Sequence, residues 1–153
     1  MVTNSHKVLI ISVGPMDENH AALGDILQRS DWPAGTDTAG RVFVCSELDE
    51  CVSTLRKARI PIVLCDADSN WPHLLEGFRE LPEPPYLIVT SRLADDRLWS
   101  EALNLGAYDV LAKPFDRSEV VRVLTMAWMR WNARSTRPFR PARHAELTQV
   151  AYA

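Results

Sequence analysis

Three polar residues in this chain each close an apolar run of strand length. Asp66 follows Ile62-Val63-Leu64-Cys65, and Thr90 follows Leu87-Ile88-Val89. Lys113 stands in Leu111-Ala112-Lys113-Pro114-Phe115, at the end of a further apolar stretch. In a parallel sheet such ends converge on one edge, where open α/β sheets place their sites. A carboxylate can take a phosphoryl group to give an acyl phosphate. The charge on the phosphoryl oxygens then calls for a cation and hydrogen-bond donors. Lys113 offers the first and the Thr90 hydroxyl the second. The first apolar run ends differently: Ile10-Ile11 is followed by Ser12-Val13, where a metal-dependent site of this kind wants acids.

The pattern around these residues predicts strands alternating with helices. Continuous apolar character marks strands at 7–11, 41–45, 61–65, 86–89 and 107–112. Helical spacing marks 17–28, with Ala21, Ala22, Leu23, Ile26 and Leu27 on the apolar stripe. It also marks 95–105, with Leu98, Trp99, Ala102, Leu103 and Leu105 apolar and Gly106 at the stop. Ser46-Glu47-Leu48-Asp49 resembles a capping box opening a helix to about 58, and Asp116-Arg117-Ser118-Glu119 caps a last helix. A short helix with Leu74, Leu75 and Phe78 is ended by Pro82, Pro84 and Pro85, and 30–40 reads as a loop. The fold class is α/β: a flavodoxin-like (βα)5 doubly wound, parallel five-stranded sheet of order 2-1-3-4-5.

Bulk properties bound the function. The chain has 153 residues, enough for one domain with its own core. It is 46% hydrophobic and 24% charged, with net charge −3, so no overall basic character points to nucleic acid. No apolar run approaches the roughly 20 residues that span a membrane, and 1–7 lack the apolar core of a secretory signal. Cys45, Cys51 and Cys65 form no CxxC; Cys45 and Cys65 read as small buried hydrophobes, and a reducing cytoplasm is the natural compartment. There is no GxGxxG, Walker loop, zinc-type His pair or Ser-His-Asp arrangement, and His6, His20, His73 and His144 read as surface residues, so no enzyme is expected. From about 132 the periodicity fades. Residues 1–131 form the domain, and 132–153 form a basic, Pro-containing tail with Arg134, Arg137, Arg140 and Arg143, read as a solvated appendix or a contact for acidic partners.

Over about residues 7–131 the chain resembles the receiver domains of two-component response regulators. The resemblance rests on Val63-Leu64-Cys65-Asp66, Ile88-Val89-Thr90-Ser91, the block from Glu101 through Gly106-Ala107 to Asp109, and Lys113-Pro114-Phe115. It implies that Asp66 is the phosphoacceptor, charged by a histidine kinase or phosphotransfer protein. Thr90 would hydrogen-bond the phosphoryl group, Lys113 would pair with its oxygens, and Lys113-Pro114 would be a cis peptide. It further implies Mg2+ on Asp66 and the backbone carbonyl of Asp68. It also implies signalling through protein contact without membrane or nucleic acid, including a homodimer through the fourth and fifth helices. No output domain is expected after the last helix.

The chain departs from that family pattern in three places. Ser12 and Val13 stand where the family carries a magnesium-binding acidic pair. Asp17 and Glu18 lie nearby, either as favourable charges at a helix N-terminus or as replacement ligands. Val110 takes the place of the aromatic residue whose rotamer reports the threonine, with Tyr108 expected on the same strand face. The loop after Asp66 reads Ala67-Asp68-Ser69-Asn70-Trp71-Pro72, and Asp68 adds a carboxylate that either recruits metal or repels phosphate. The alternative reading is therefore a pseudo-receiver, an interaction module without magnesium-dependent phosphorylation. Trp99 and Trp128 are read as core, and Trp131 as partly exposed at an interface.

Overall fold

The computed structural model describes residues 9–14, 18–29 and 41–135. Ten elements follow in strict alternation: β1 Leu9–Val13, α1 Glu18–Arg29, β2 Arg41–Cys45, α2 Leu48–Lys57, β3 Ile62–Asp66, α3 Trp71–Phe78, β4 Tyr86–Ser91, α4 Asp96–Leu105, β5 Asp109–Ala112 and α5 Arg117–Ser135. All strand pairings are parallel and the sheet order is β2-β1-β3-β4-β5, as the sequence pattern predicts. The tail beyond 135 and the loop at 30–40 lie outside the described residues.

Side chains alternate between the two faces of the sheet, and each face builds its own core. One cluster joins Ile11, Val13, Val63, Cys65, Leu87, Val89 and Val110 to Cys51 and Leu55 of α2, Trp71, Leu74 and Phe78 of α3, and Ala102 of α4. The other joins Ile10, Ile62, Leu64, Ile88 and Leu111 to Leu23 and Leu27 of α1 and to Val120, Val123, Leu124 and Ala127 of α5. This two-sided burial explains why β3 is apolar at consecutive positions. Cys45, Cys51 and Cys65 are free thiols inside this core.

Helix ends follow local chemistry where a side chain can reach the backbone. The Asp95 carboxylate accepts from the Leu98 amide at 2.9 Å, and α4 stops at Gly106, whose φ of +106° suits a residue without a Cβ. Asp116 accepts from the Glu119 amide at 3.1 Å and from Ser118 Oγ at 2.7 Å. The capping box expected at Ser46 does not form. Helix α2 starts at Leu48 with Glu47 as its N-cap and no side-chain cap bond, so Ser46 sits one residue too early to cap.

Several boundaries move. β1 extends through Ser12 and Val13, because both residues pair with β2 and β3 rather than leaving the sheet. β5 begins only at Asp109, so the two-residue alternation does not reach back to Tyr108. Tyr108 packs beside Tyr86, with ring centroids 4.9 Å apart, against the α1/α5 core, while Val110 belongs to the opposite cluster. The expectation that the two share a face is thus corrected. Helix α5 continues to Ser135, where Arg134 donates to the Pro84 carbonyl at 2.7 Å and lies 5.1 Å from the Tyr86 ring centre.

Two tryptophan expectations reverse. Trp99 is 38% exposed, because the inward stripe of α4 runs through Leu98 and Ala102 and turns Trp99 away. Trp131 is only 5% exposed, because it continues the Leu124–Ala127 stripe of α5. The Arg59 guanidinium covers its ring at 5.0 Å and Trp128 stacks beside it at 6.4 Å. Arg59 in turn donates to Glu83 at 2.7 Å. Trp128 packs against the core as expected. Trp131→Ala is expected to lower unfolding free energy by about 3–5 kcal/mol in urea titration, whereas Trp99→Ala changes it by about 0.5 kcal/mol or less.

Candidate functional site

Parallel register brings the three polar strand ends together. Asp66 of β3 stands opposite Thr90 of β4, and Ser91 of β4 stands opposite Ala112 of β5. Lys113 directly follows β5; its amide donates to the Ser91 carbonyl at 2.9 Å, extending the ladder by one bond. The Lys113-Pro114 peptide is cis, as the resemblance implies. From this anchor the lysine reaches back across β4, and its Nζ donates to Asp66 Oδ2. The side chains of Lys113 and Asp66 are 6% and 12% exposed, so this is an enclosed ion pair rather than a surface contact.

The other Asp66 oxygen is held as well. The Asp68 amide donates to Oδ1 at 2.9 Å, while Ser69 N bonds the Asp66 carbonyl at 3.0 Å and Ala67 N bonds the Thr90 carbonyl at 2.8 Å. Thr90 is buried beside them at 4% exposure. The Cys65 Sγ lies 3.6 Å from the Asp66 carbonyl oxygen. Burial first, and the Asp66 charge second, push the Cys65 thiol up to about 12. Burial pushes Cys51 up to about 12 as well.

The donor set does not fit a resident magnesium ion. A hard divalent cation of this kind is bound through oxygens, with carboxylates carrying the charge. Ser12 is buried at 5% exposure and offers a neutral hydroxyl; Val13 is buried in the core beside Cys65 and offers nothing. Glu18 is exposed and lies 3.5 Å from Arg92, and Asp17 lies outside the described residues. Asp68 is exposed. Among the described residues no three His, Cys, Asp or Glu side chains are grouped to hold a metal ion.

One neighbour of the site escaped the sequence reading. His20 is half-buried in the first turn of α1 rather than a free surface residue. A Cβ built on Gly14 would stand 3.2 Å from Asp66 Cβ and 3.7 Å from His20 Nε2, so the two side chains flank the same glycine. The available signal was its place just after the Gly14-Pro15 break, on the edge where strand ends collect.

No protein-family model matches the chain, and no curated protein matches its sequence. Solved structures do match. The signal receiver domain of an HD domain-containing protein from Pseudomonas fluorescens Pf-5 superposes with a TM-score of 0.71 at 19% identity, covering 90% of this chain and 98% of its own. A response regulator from Thermotoga maritima gives a TM-score of 0.66 at 19% identity, covering 79% and 97%. This chain has the receiver fold. CheY4 of Vibrio cholerae, a chemotaxis response regulator, shares that receiver fold at a TM-score of 0.64 and 14% identity, covering 79% and 98%. At such identities the likeness is one of backbone, and what Asp66, Thr90 and Lys113 do follows from their own chemistry.

Lys113→Met should destabilise this receiver fold by about 3–5 kcal/mol in urea unfolding, because it leaves the Asp66 carboxylate enclosed without its partner. Adding Asp66→Asn should recover part of that loss, giving a coupling energy above about 1 kcal/mol in the double-mutant cycle. A second outcome concerns the thiols. With Cys51 and Cys65 raised to about 12, the thiolate is scarce at pH 8. A thiol reagent should therefore label the native protein slowly and all three cysteines rapidly in guanidinium chloride.

Proposed function

We propose that this protein is a receiver module of phosphorelay signalling: Asp66 accepts a phosphoryl group, and the output is protein contact rather than catalysis of its own. The supporting observation is the enclosed Asp66–Lys113 pair beside buried Thr90 at the C-terminal edge of the sheet. The donor would be a histidine kinase or phosphotransfer protein of the cytoplasm. Among the described residues no helix is long and apolar enough to cross a membrane.

The residues divide the work by chemistry. An Asp66 oxygen attacks phosphorus; the O–P bond forms as the P–N bond to the donor nitrogen breaks, and that nitrogen leaves with the bonding electron pair. Lys113 then turns from carboxylate to phosphoryl oxygen as a fixed point charge. The Asp68 amide, already at an Asp66 oxygen, holds the carboxylate in orientation. The Thr90 hydroxyl donates to a phosphoryl oxygen, and its shift carries the change into the loop after β4. The surface that reads this change includes Trp99, Leu103 and Leu105 on α4 and Met126 and Met129 on α5, all exposed, which supports partner or homodimer contact there. Trp131, buried under Arg59, is excluded from that face.

A second reading is favoured by Ser12 and Val13, which are buried in the sheet and supply no acid. Under it, the Asp66–Lys113 pair is a structural strut and the protein is a pseudo-receiver. Incubation with phosphoramidate, in Mg2+ and separately in EDTA, separates the two by intact mass. One added phosphoryl group, lost in Asp66→Asn with the fold retained by circular dichroism, is the outcome expected. Absence of any adduct under both conditions establishes the pseudo-receiver instead.

A further inference from the structure

Helix α4 carries an outer face that is both apolar and acidic. Leu98 and Ala102 point to the core, while Trp99, Leu103 and Leu105 are exposed. Asp96, Trp99 and Leu103 follow at i, i+3 and i+7 and so share one stripe. With its N-cap, the helix has Asp95, Asp96 and Glu101 against one basic residue, Arg97. Asp95 is engaged by the Leu98 amide. Asp96 and Glu101 are exposed and enter no salt bridge among the described residues.

The complementary chemistry is present in the same chain. Residues 136–153 contain Arg137, Arg140 and Arg143 against the single acid Glu146, with Phe139 and Leu147 as apolar neighbours. They start close to α4. Arg134, in the last turn of α5, lies 5.1 Å from the Tyr86 ring centre, and that ring lies 4.9 Å from Tyr108. Tyr108 is three residues past Leu105, the last residue of α4. The chain from Ser135 to Arg143 reaches at most about 28 Å, and α4 from Leu105 back to Asp96 is about 14 Å long.

Tethering decides between this segment and a free partner. A segment on a short linker is presented at an effective concentration in the millimolar range. An attraction too weak to recruit a free protein at micromolar concentration then still fills the face. Arginine suits both halves of it, since the guanidinium pairs with carboxylates and stacks on an indole ring.

We propose that residues 136–153 dock on the outer face of α4 and hold it closed to other proteins. Arg137, Arg140 and Arg143 pair with Asp96 and Glu101, and the apolar residues cover Trp99 and Leu103. An outside partner must displace the segment, so the contact is self-inhibitory. The proposal takes α4 as the contact face from the reading above; the docking itself does not involve Asp66.

Photo-cross-linking in the full chain tests this. A benzophenone amino acid in place of Ser100, which is exposed on the same face, leaves Trp99 and Leu103 intact. The same replacement at Asn104 gives a second probe, and at Ser53 on α2 a control; circular dichroism checks that each variant is folded. After illumination at low micromolar concentration, peptide mass mapping is expected to join positions 100 and 104 to residues 136–153 within one chain, and position 53 to none of them. Arg137→Glu, Arg140→Glu and Arg143→Glu together should lower that yield by about 5-fold or more, as should about 1 M NaCl. Adducts that join two chains, adducts to other segments only, equal yield from position 53, or a yield indifferent to the charge reversal each overturn the docking while leaving Asp66 as acceptor. Failure of phosphoramidate labelling, in turn, leaves the docking standing.

Discussion

Neighbouring parallel strands cannot be joined by a tight turn, so every strand here is followed by a helix that crosses back over the sheet. That constraint organises the molecule. Helices must cover both faces, so both faces must be apolar, and the strands become hydrophobic at consecutive positions. The polar residues that remain are pushed to the strand ends. With all strands pointing one way, the ends after β1, β3, β4 and β5 gather on a single edge. Asp66, Thr90 and Lys113 meet there because the topology leaves them nowhere else to go.

Within that edge the Asp66–Lys113 pair is the costly element. Two enclosed charges each lose hydration, and their attraction compensates only while both are present and well placed. Placement comes from backbone already committed to the sheet. Lys113 is anchored by its amide to Ser91, and Asp66 is held through the Asp68 amide. The same pair explains how the Asp66 carboxylate stays placed: the Lys113 ammonium answers it directly.

The far pole of the molecule shows how side-chain direction redistributes exposed surface. Trp131 completes the buried stripe of α5 and is sealed by Arg59, and Arg134 bonds the Pro84 carbonyl below β4. Trp99 is rotated outward by the same helical geometry that buries Ala102. Among the described residues, the exposed tryptophan face therefore belongs to α4, next to the loop that follows Thr90, and not to the end of α5.

The order of elements, the parallel class of the sheet, the cap at Asp116, the stop at Gly106 and the three polar strand ends were all legible in the chain. Each depends on hydrophobic period or on a side chain reaching a few residues along its own backbone. Tertiary structure decided the rest. Ser12 and Val13 belong to β1 only because β2 and β3 offer them partners. Tyr108 parts from Val110 because β5 begins between them, and whether Trp99 or Trp131 faced inward depended on the phase of a whole helix against its sheet. His20 and Asp66 came to flank the same glycine, Gly14, across a separation that no local pattern spans. Local propensity acts over a few residues, whereas pairing, phase and enclosure are properties of segments meeting in space.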